Sequence, residues 1–141
     1  MTYGDTLGTV RVLPTVTTTV NPATTNVLTL NATDGTWTGA AGETVARQWQ
    51  QSTNGGSTWT DISGQTAATY SVPSADLTAG TKAFRLKVTW TKADTSTITA
   101  VSAGRVWKGF AYTGGEQTWS VPSGITSAAV DLVGARGGTR G

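Results

Sequence analysis

The segment from Gln48 to Tyr70, QWQQSTNGGSTWTDISGQTAATY, leaves few folds open to this chain. Its pattern predicts a strand, a tight turn, a second strand, a loop and a third strand. Asn54-Gly55-Gly56 can supply the positive φ angles that a hairpin turn requires. Trp49 precedes this turn, and Ser57-Thr58-Trp59-Thr60 is expected to return as the second strand. A tryptophan, a glycine turn and a strand that begins at Tyr70 are what the centre of a small β-sandwich needs.

A second clear pattern lies between Lys82 and Thr91, where apolar and polar residues alternate. Strict alternation indicates a strand with one buried face, and further short patterns predict an all-β sandwich of about seven strands. The last strand is expected from Thr97 to Ser102. The expected core combines the apolar members of these strands: Leu28, Leu30, Trp49, Tyr70, Phe84, Leu86, Val88 and Trp90.

Two residues interrupt these patterns. Pro14 lies in the middle of the run from Thr9 to Val20, which predicts either an edge strand or a strand that passes from one sheet to the other. Arg47 shares a face with Val45 and Trp49. Either a bulge shifts the register there, or Arg47 lies at the rim of the sandwich with its charged head in water.

The composition excludes several kinds of chemistry. The chain has no cysteine and no histidine, which removes disulfides, cysteine-based metal sites and imidazole general bases. Its 8 acidic residues are scattered, and no two are spaced to meet on one strand face as paired-carboxylate hydrolysis requires. A net charge of +2 is too small an imbalance to indicate nucleic acid, and no apolar run is long enough to span a membrane. The sequence therefore predicts a non-enzymatic protein without a cofactor.

If Trp49 and Trp90 face the core, the alternate residues of the same sheet form one flat, polar, mildly basic outer face. Its expected members are Gln48, Gln50, Arg85, Lys87, Thr97 and Thr99. Three interpretations are open: a solvated face, which is favoured; a contact with a protein or an anionic glycan; and a contact with nucleic acid. Nucleic acid ranks last because few phosphates could be neutralised and no exposed aromatic residues are interleaved.

The motif QWQxSxxGGxTWTDIxGxTxxTY resembles the immunoglobulin-like modules that are repeated in bacterial surface proteins and phage virion proteins. The resemblance extends from about Thr9 to Val106 and implies an immunoglobulin-like sandwich, in which Trp37 and Trp59 would occupy packing positions. One departure is the stretch from Asp76 to Gly80, which intervenes before Phe84. We expect this stretch to be a longer loop between strands.

Near Arg105 the composition changes. The motifs F-x-Y-T-G, Q-T-aromatic-x-V-P-x-G-I-T and G-A-x-G-G resemble the opening of a glycine-rich module found in phage tail proteins and bacterial surface proteins. The chain is accordingly expected to comprise an N-terminal arm (1–8), the sandwich (9–107) and the start of a glycine-rich β module (108–141). Two strands are expected in that module, near Gln117–Val121 and Ala128–Val133, as a C-terminal β-hairpin.

An isolated two-stranded hairpin is marginally stable in water. Residues 109–141 are therefore expected to become ordered by packing on the sandwich, on a neighbouring subunit, or on further chain. Self-association is the favoured solution, with a trimer as the favoured form.

Together the two resemblances imply a non-enzymatic structural or adhesion protein of a phage particle, either tail-associated or capsid-decorating. The absence of a signal-peptide pattern in the first residues favours a virion protein made in the host cytoplasm. The alternative is a carbohydrate-binding or adhesive module of a bacterial cell-surface protein. Expected partners are other virion proteins, further copies of the chain and a host-surface glycan, and neither nucleic acid nor a membrane. The candidate contact residues are Trp107, Phe110, Tyr112, Trp119, Arg85 and Lys87.

Overall fold

The computed structural model describes residues 10–20, 28–37, 43–110 and 114–125. In these ranges the chain forms strands and one short helix. In chain order the elements are β1 (Val10–Val12), β2 (Thr15–Val20), β3 (Leu28–Thr33), β4 (Thr36–Trp37), β5 (Thr44–Ser52), β6 (Thr60–Asp61), β7 (Thr69–Val72), α1 (Ser74–Ala79), β8 (Ala83–Thr91), β9 (Thr97–Val101) and β10 (Arg105–Val106).

Two antiparallel sheets form the sandwich. One has the strand order β2-β3-β7, and the other has the order β10-β8-β5-β6 with β9 also paired to β8. β5 pairs along the whole length of one edge of β8. The two short strands β9 and β10 therefore share its other edge, so that the two sheets together have seven strand positions. A separate two-stranded sheet joins β1 to β4. The prediction of an all-β sandwich is confirmed.

The core lies between the two sheets and draws on both. Trp49 on β5 is fully buried, and its ring centroid lies 5.7 Å from that of Tyr70 on β7. The Tyr70 ring lies 5.7 Å in turn from that of Phe84 on β8. The indole N–H of Trp49 donates to the carbonyl of Ala67 at 3.0 Å, so that burial leaves this polar group satisfied. All eight residues that the sequence pattern places in the core belong to this buried cluster, and Val72, Leu77 and Ala100 complete it.

Pro14 is the point where the chain passes between sheets. β1 ends at Val12 and pairs with β4, whereas β2 begins at Thr15 and pairs with β3. Proline has no N–H to give to a ladder, so a crossing point is a position where it costs little. β2 is also an edge strand of its sheet, and both features predicted for this proline are therefore present.

Of the two arrangements predicted for Arg47, the bulge is absent, and the partly exposed side chain is compatible with a position at the rim of the sandwich. β5 and β8 pair in continuous register from Thr44 to Ser52, without a bulge. The Arg47 side chain is 34% exposed, and its guanidinium forms a bidentate ion pair with Asp34, with Nε–Oδ1 at 2.5 Å and Nη2–Oδ2 at 2.6 Å. The hydrogen bond to Asp34 raises the pKa of Arg47. The carboxylate partner, which lies just after β3, is what allows a charged residue at this inward position.

Three elements differ from the sequence-based expectation. The second strand of the hairpin contains only Thr60–Asp61, so Trp59 lies just outside it. The stretch expected to be a long loop after Asp76 belongs to α1, which ends at Gly80 in the left-handed conformation (φ 61°) and places Leu77 in the core. β9 is not the last strand, because β10 follows it. In the described part of the chain, no helix is long and apolar enough to cross a membrane.

Candidate functional site

The outer face of the larger sheet carries polar side chains from three adjacent strands. On β5 and β8 the residues that alternate with the core project to this side. Register places Gln50 of β5 opposite Arg85 of β8 and opposite Asp61 of β6. Gln48 lies opposite Lys87 in the same way. The sheet therefore brings together residues that are far apart in sequence.

A chain of hydrogen bonds crosses these three strands. Arg85 Nε donates to Gln50 Oε1 at 2.8 Å, and Gln50 Nε2 donates to Asp61 Oδ1 at 2.7 Å. Lys87 Nζ donates to both oxygens of Asp61, each at 3.2 Å. The bond from Gln50, followed by that from Lys87, holds the pKa of Asp61 below its usual range. Asp61 is therefore ionised at neutral pH and compensates the charge of Lys87.

Trp59 extends across this face from the start of β6. Its indole N–H donates to the carbonyl of Gly56 at 2.9 Å, which fixes the ring direction. The Arg85 guanidinium carbon lies 4.3 Å from the ring centroid, within the range of a cation–π contact. A Cβ at Gly104 would lie only 2.5 Å from two atoms of the same ring, so the absent side chain makes room for the indole. We refer to Gln50, Trp59, Asp61, Arg85 and Lys87 as the Trp59–Arg85 site.

The position of Trp59 corrects the expectation that it packs like Trp37. Trp37 packs against the buried cluster, with its ring 6.2 Å from that of Trp90. Trp59 is absent from that cluster and lies on the opposite side of the sheet, half-exposed. Arg85 and Lys87 are among the candidate contact residues predicted from the sequence, whereas Trp59 is not. A tryptophan in a strand-like segment is usually taken as core, and only the cross-strand register shows that a glycine and an arginine lie beside this one.

The Arg85 guanidinium has a hydrogen-bond partner on one edge only. Its Nε is occupied by Gln50 and its flat side by the indole, but within the described chain no acceptor bonds to its Nη1 or Nη2. The side chain is half-buried, and burial lowers the pKa of Arg85. Arg47 provides the contrast, since its guanidinium is matched to a carboxylate on two nitrogens and its pKa is raised.

The other candidate contact residues that the structure describes make their contacts elsewhere. Trp107 packs against the core with its ring 6.3 Å from that of Phe84, and Phe110 is 49% exposed with Lys108 Nζ 5.6 Å from its ring. Trp119 is half-buried, and its indole N–H donates to the carbonyl of Gly80 at 3.2 Å. Tyr112 lies outside the described residues.

The segment 114–125 packs on the sandwich. It contains no strand, so the prediction of one near Gln117–Val121 is wrong; Ala128–Val133 falls outside the described residues. The backbone of Ser123 and Gly124 approaches Gly55 so closely that a side chain at Gly55 would overlap it. At the other end, Trp119 contacts the residue that terminates α1. Packing on the sandwich was one of three expected ways to order this part of the chain, and the described residues adopt it.

The linker before that segment is attached to α1 as well. The amide of Gly109 donates to the carbonyl of Leu77 at 3.0 Å, and Lys108 Nζ donates to the carbonyl of Thr78. The aliphatic part of Lys108 covers Gly80. These bonds use carbonyls at the end of the helix, which have no partner within it.

Comparison with known proteins gives one finding. Residues 8–104 match a family model described as a domain of unknown function (DUF8696). The matched span covers β1 to β9 and ends at Gly104, the residue beside the Trp59 ring. No curated protein and no solved structure matches the chain significantly.

Proposed function

The chain belongs to the DUF8696 family, and we propose that its sandwich is an immunoglobulin-like display module of a phage particle. The proposed role is structural or adhesive and not catalytic, in a tail-associated or capsid-decorating protein. Other virion proteins would be its partners, and a host-surface glycan its ligand.

The strand order is the observation that supports this proposal most. In immunoglobulin constant-type sandwiches the first, second, fourth and fifth strands form one sheet, and the third, sixth and seventh form the other. Among the strands of the two large sheets, β2, β3 and β7 correspond to the first, second and fifth, and β5, β8 and β9 correspond to the third, sixth and seventh. The fourth strand, β6, departs from this order because it pairs with β5 at the edge of the larger sheet. Trp49 is buried on the third strand, as the conserved tryptophan is in antibody domains. A fold of this kind agrees with the motif resemblance between Gln48 and Tyr70.

The adhesive part of the proposal is supported by the outer face of the larger sheet. That face carries an aromatic ring, a guanidinium and several hydroxyls. The guanidinium and the hydroxyls belong to paired strands, which hold side chains in more fixed positions than loops do. Such a face is suited to contact with a polar surface. Its residues do not contribute to the buried cluster, so they can serve contact without serving the core.

Fractionation of the source culture tests where the protein acts. Antibodies are raised against recombinant residues 9–107, and lysates are separated on a density gradient into particles, cell envelopes and soluble protein. The antibody signal is expected to band with intact particles and to label them in electron micrographs. A signal confined to cell envelopes would overturn the virion assignment and support the alternative, an adhesive or carbohydrate-binding module of a bacterial surface protein.

That alternative has one observation in its favour. Flat aromatic rings stack on sugars, and the Trp59 ring lies across a polar face instead of in the core. Because the same ring would serve a virion adhesin equally well, only the fractionation separates the two proposals.

Homo-oligomerisation, with a trimer favoured, also belongs to this proposal. Its test is amide hydrogen exchange from Trp119 to Val133, measured at several protein concentrations alongside molecular mass by light scattering. Protection that appears only with the oligomer would support subunit contacts. Strong protection in a demonstrated monomer would exclude them as the source of order, and would fit the contacts of Trp119 and Gly124 with the sandwich.

A further inference from the structure

The terminal nitrogens of Arg85 form a charged edge that faces no carboxylate in the described part of the chain. The Nη1 and Nη2 atoms carry four N–H donors, and no described atom accepts a hydrogen bond from them. The side chain is half-buried among Gln50, Trp59 and the strands beneath. Partial burial of a charge without a carboxylate partner is unfavourable, so the arrangement is one that a ligand could improve.

The charge balance of the face favours an anion. Lys87 is paired with Asp61, as Arg47 is with Asp34 and Lys82 with Asp76. Arg85 has no such partner, and the Trp59–Arg85 site therefore carries one uncompensated positive charge. Burial lowers the pKa of Arg85, as expected for a cation without a carboxylate partner.

Two contacts fix the Arg85 guanidinium in a position that suits a planar ligand. Gln50 fixes Nε, and the Trp59 ring covers one flat side. The remaining edge presents Nη donors, and a guanidinium edge recognises carboxylate oxygens through two parallel hydrogen bonds. Since the indole is itself anchored to Gly56, little side-chain freedom is lost when a ligand binds.

The surroundings favour a sugar over a peptide as the source of the carboxylate. A pyranose ring can pack its C–H groups against the indole while its carboxylate reaches the Arg85 edge. Thr89 lies on the same face of β8, and its hydroxyl is 3.3 Å from that of Thr99 on β9. These hydroxyls extend the polar surface along the strand, where the next sugar of a chain would lie. The carboxylate of an acidic peptide side chain would by itself engage only the guanidinium, whereas a uronic acid engages the guanidinium and the indole together.

We propose that the Trp59–Arg85 site binds the carboxylate of an acidic, uronic-acid-type polysaccharide, with the Nη edge of Arg85 holding the carboxylate and Trp59 packing against the sugar ring. This inference rests on the proposed adhesive function and names its ligand class.

The test is an NMR titration of the full 15N-labelled chain with trigalacturonate. Its methyl ester serves as the matched neutral probe, because it keeps the same rings and masks the carboxylates. Trigalacturonate is expected to shift the Trp59 indole N–H and the Arg85 Nε–H signals, and the ester to bind at least tenfold more weakly. Added salt is expected to weaken trigalacturonate binding.

Variants assign the effect to the site. Arg85→Gln is expected to weaken trigalacturonate binding about tenfold or more, which corresponds to the loss of a charge-assisted hydrogen-bonded pair. Arg105→Gln removes the same charge from an exposed position on β10 and should leave binding unchanged. Arg85→Lys keeps the charge without the two-nitrogen edge and should bind weakly. Each variant is first checked for native amide dispersion, so that loss of the fold is not taken for loss of the site.

Three outcomes would overturn the inference: no shift at Trp59 or Arg85 with millimolar trigalacturonate, equal binding of the methyl ester, or equal loss in the Arg105 variant. A glutamate-rich peptide that binds as well as the sugar would replace the polysaccharide with an acidic protein partner. The particle fractionation remains independent. A chain found in cell envelopes that still binds trigalacturonate at Arg85 would refute the virion proposal and leave this site standing.

Discussion

The two faces of the larger sheet are built from the same strands and differ in almost every physical property. On β8, the inward residues Phe84, Leu86, Val88 and Trp90 are all at most 3% exposed. The residues between them, Arg85, Lys87 and Thr89, project outward and are half-exposed. Inward side chains are held by close packing, whereas outward ones are held by specific hydrogen bonds.

This contrast separates stability from recognition along a single strand. Apolar burial contributes most of the free energy of folding, so the inward residues are expected to govern stability. Hydrogen bonds and ion pairs at a half-exposed surface contribute much less. The outward residues are therefore freer to serve binding, and substitutions on the two faces should differ in size as well as in kind.

The largest effect is expected for Trp49→Ala. The side chain is fully buried between the sheets, and its removal leaves a cavity and unpairs the carbonyl of Ala67. The free energy of unfolding should fall by about 3–5 kcal/mol, measured by urea denaturation. A folded variant that loses less than about 1 kcal/mol would contradict the inward assignment of β5.

A smaller effect is expected for Ser102→Ala at the junction of β9 and β10. The amide of Leu86 donates to Ser102 Oγ at 2.9 Å, and the amide of Ser102 donates to the carbonyl of Leu86 at 2.8 Å. Alanine would leave the buried Leu86 amide without a partner, at a cost of about 1–3 kcal/mol. Exposed Ser71 on β7 is the matched control, and Ser71→Ala should change stability by no more than about 0.5 kcal/mol. Equal losses in the two variants would show that the hydroxyl bond does not stabilise the junction.

On the outward face, Gly104→Ala is expected to displace Trp59. The new methyl group would overlap the indole, so the ring should move away from Arg85 and the stack would be lost, at a cost of about 0.5–1 kcal/mol. The measurement is the chemical shift of the Trp59 indole N–H together with urea denaturation. Gly115→Ala is the control, because a Cβ there meets no atom within 4 Å. An unchanged Trp59 signal in the Gly104 variant would place the ring elsewhere.

The smallest effect concerns the pH dependence of stability at Asp61. Its pKa is lower in the folded state, so the ionised carboxylate stabilises the fold at pH values above its unfolded pKa of about 4. That contribution should disappear as the pH falls through the folded value. Because Asp61 is 51% exposed, the change should be a few tenths of a kcal/mol. Asp61→Asn should remove it, so that wild type and variant differ at pH 7 and converge at about pH 2.

Most of the core-facing residues could be predicted from sequence, because a strand with one buried face has apolar residues at every second position. The alternation from Phe84 to Trp90 assigns the inward face of β8, and Pro14 marks the change of sheet. α1 was missed since six residues are too few to show a helical period, although Pro73 before it and Gly80 after it are known helix-boundary residues.

The candidate site was only partly predictable. Alternation placed Arg85 and Lys87 outward, but it contains no information on which side chains meet across strands. The contact between Trp59 and Gly104 joins residues far apart in sequence, and it depends on where β6 and β10 begin. The sequence likewise shows Arg47 as an exception to the apolar face of its strand, but only the structure identifies its partner, Asp34.

The ladder between β5 and β8 has a consequence for the time course of folding. It pairs all 9 residues of each strand. The pair closest in sequence is Ser52 with Ala83, and the chain between these two residues contains β6, β7 and α1. Closing such a loop costs chain entropy before any of its pairs can form, and β-sandwiches of this kind refold in milliseconds to seconds. The β8–β9 hairpin turns within a few residues at Lys92–Ser96. We therefore expect that hairpin to form early and the central β5–β8 pair to form late.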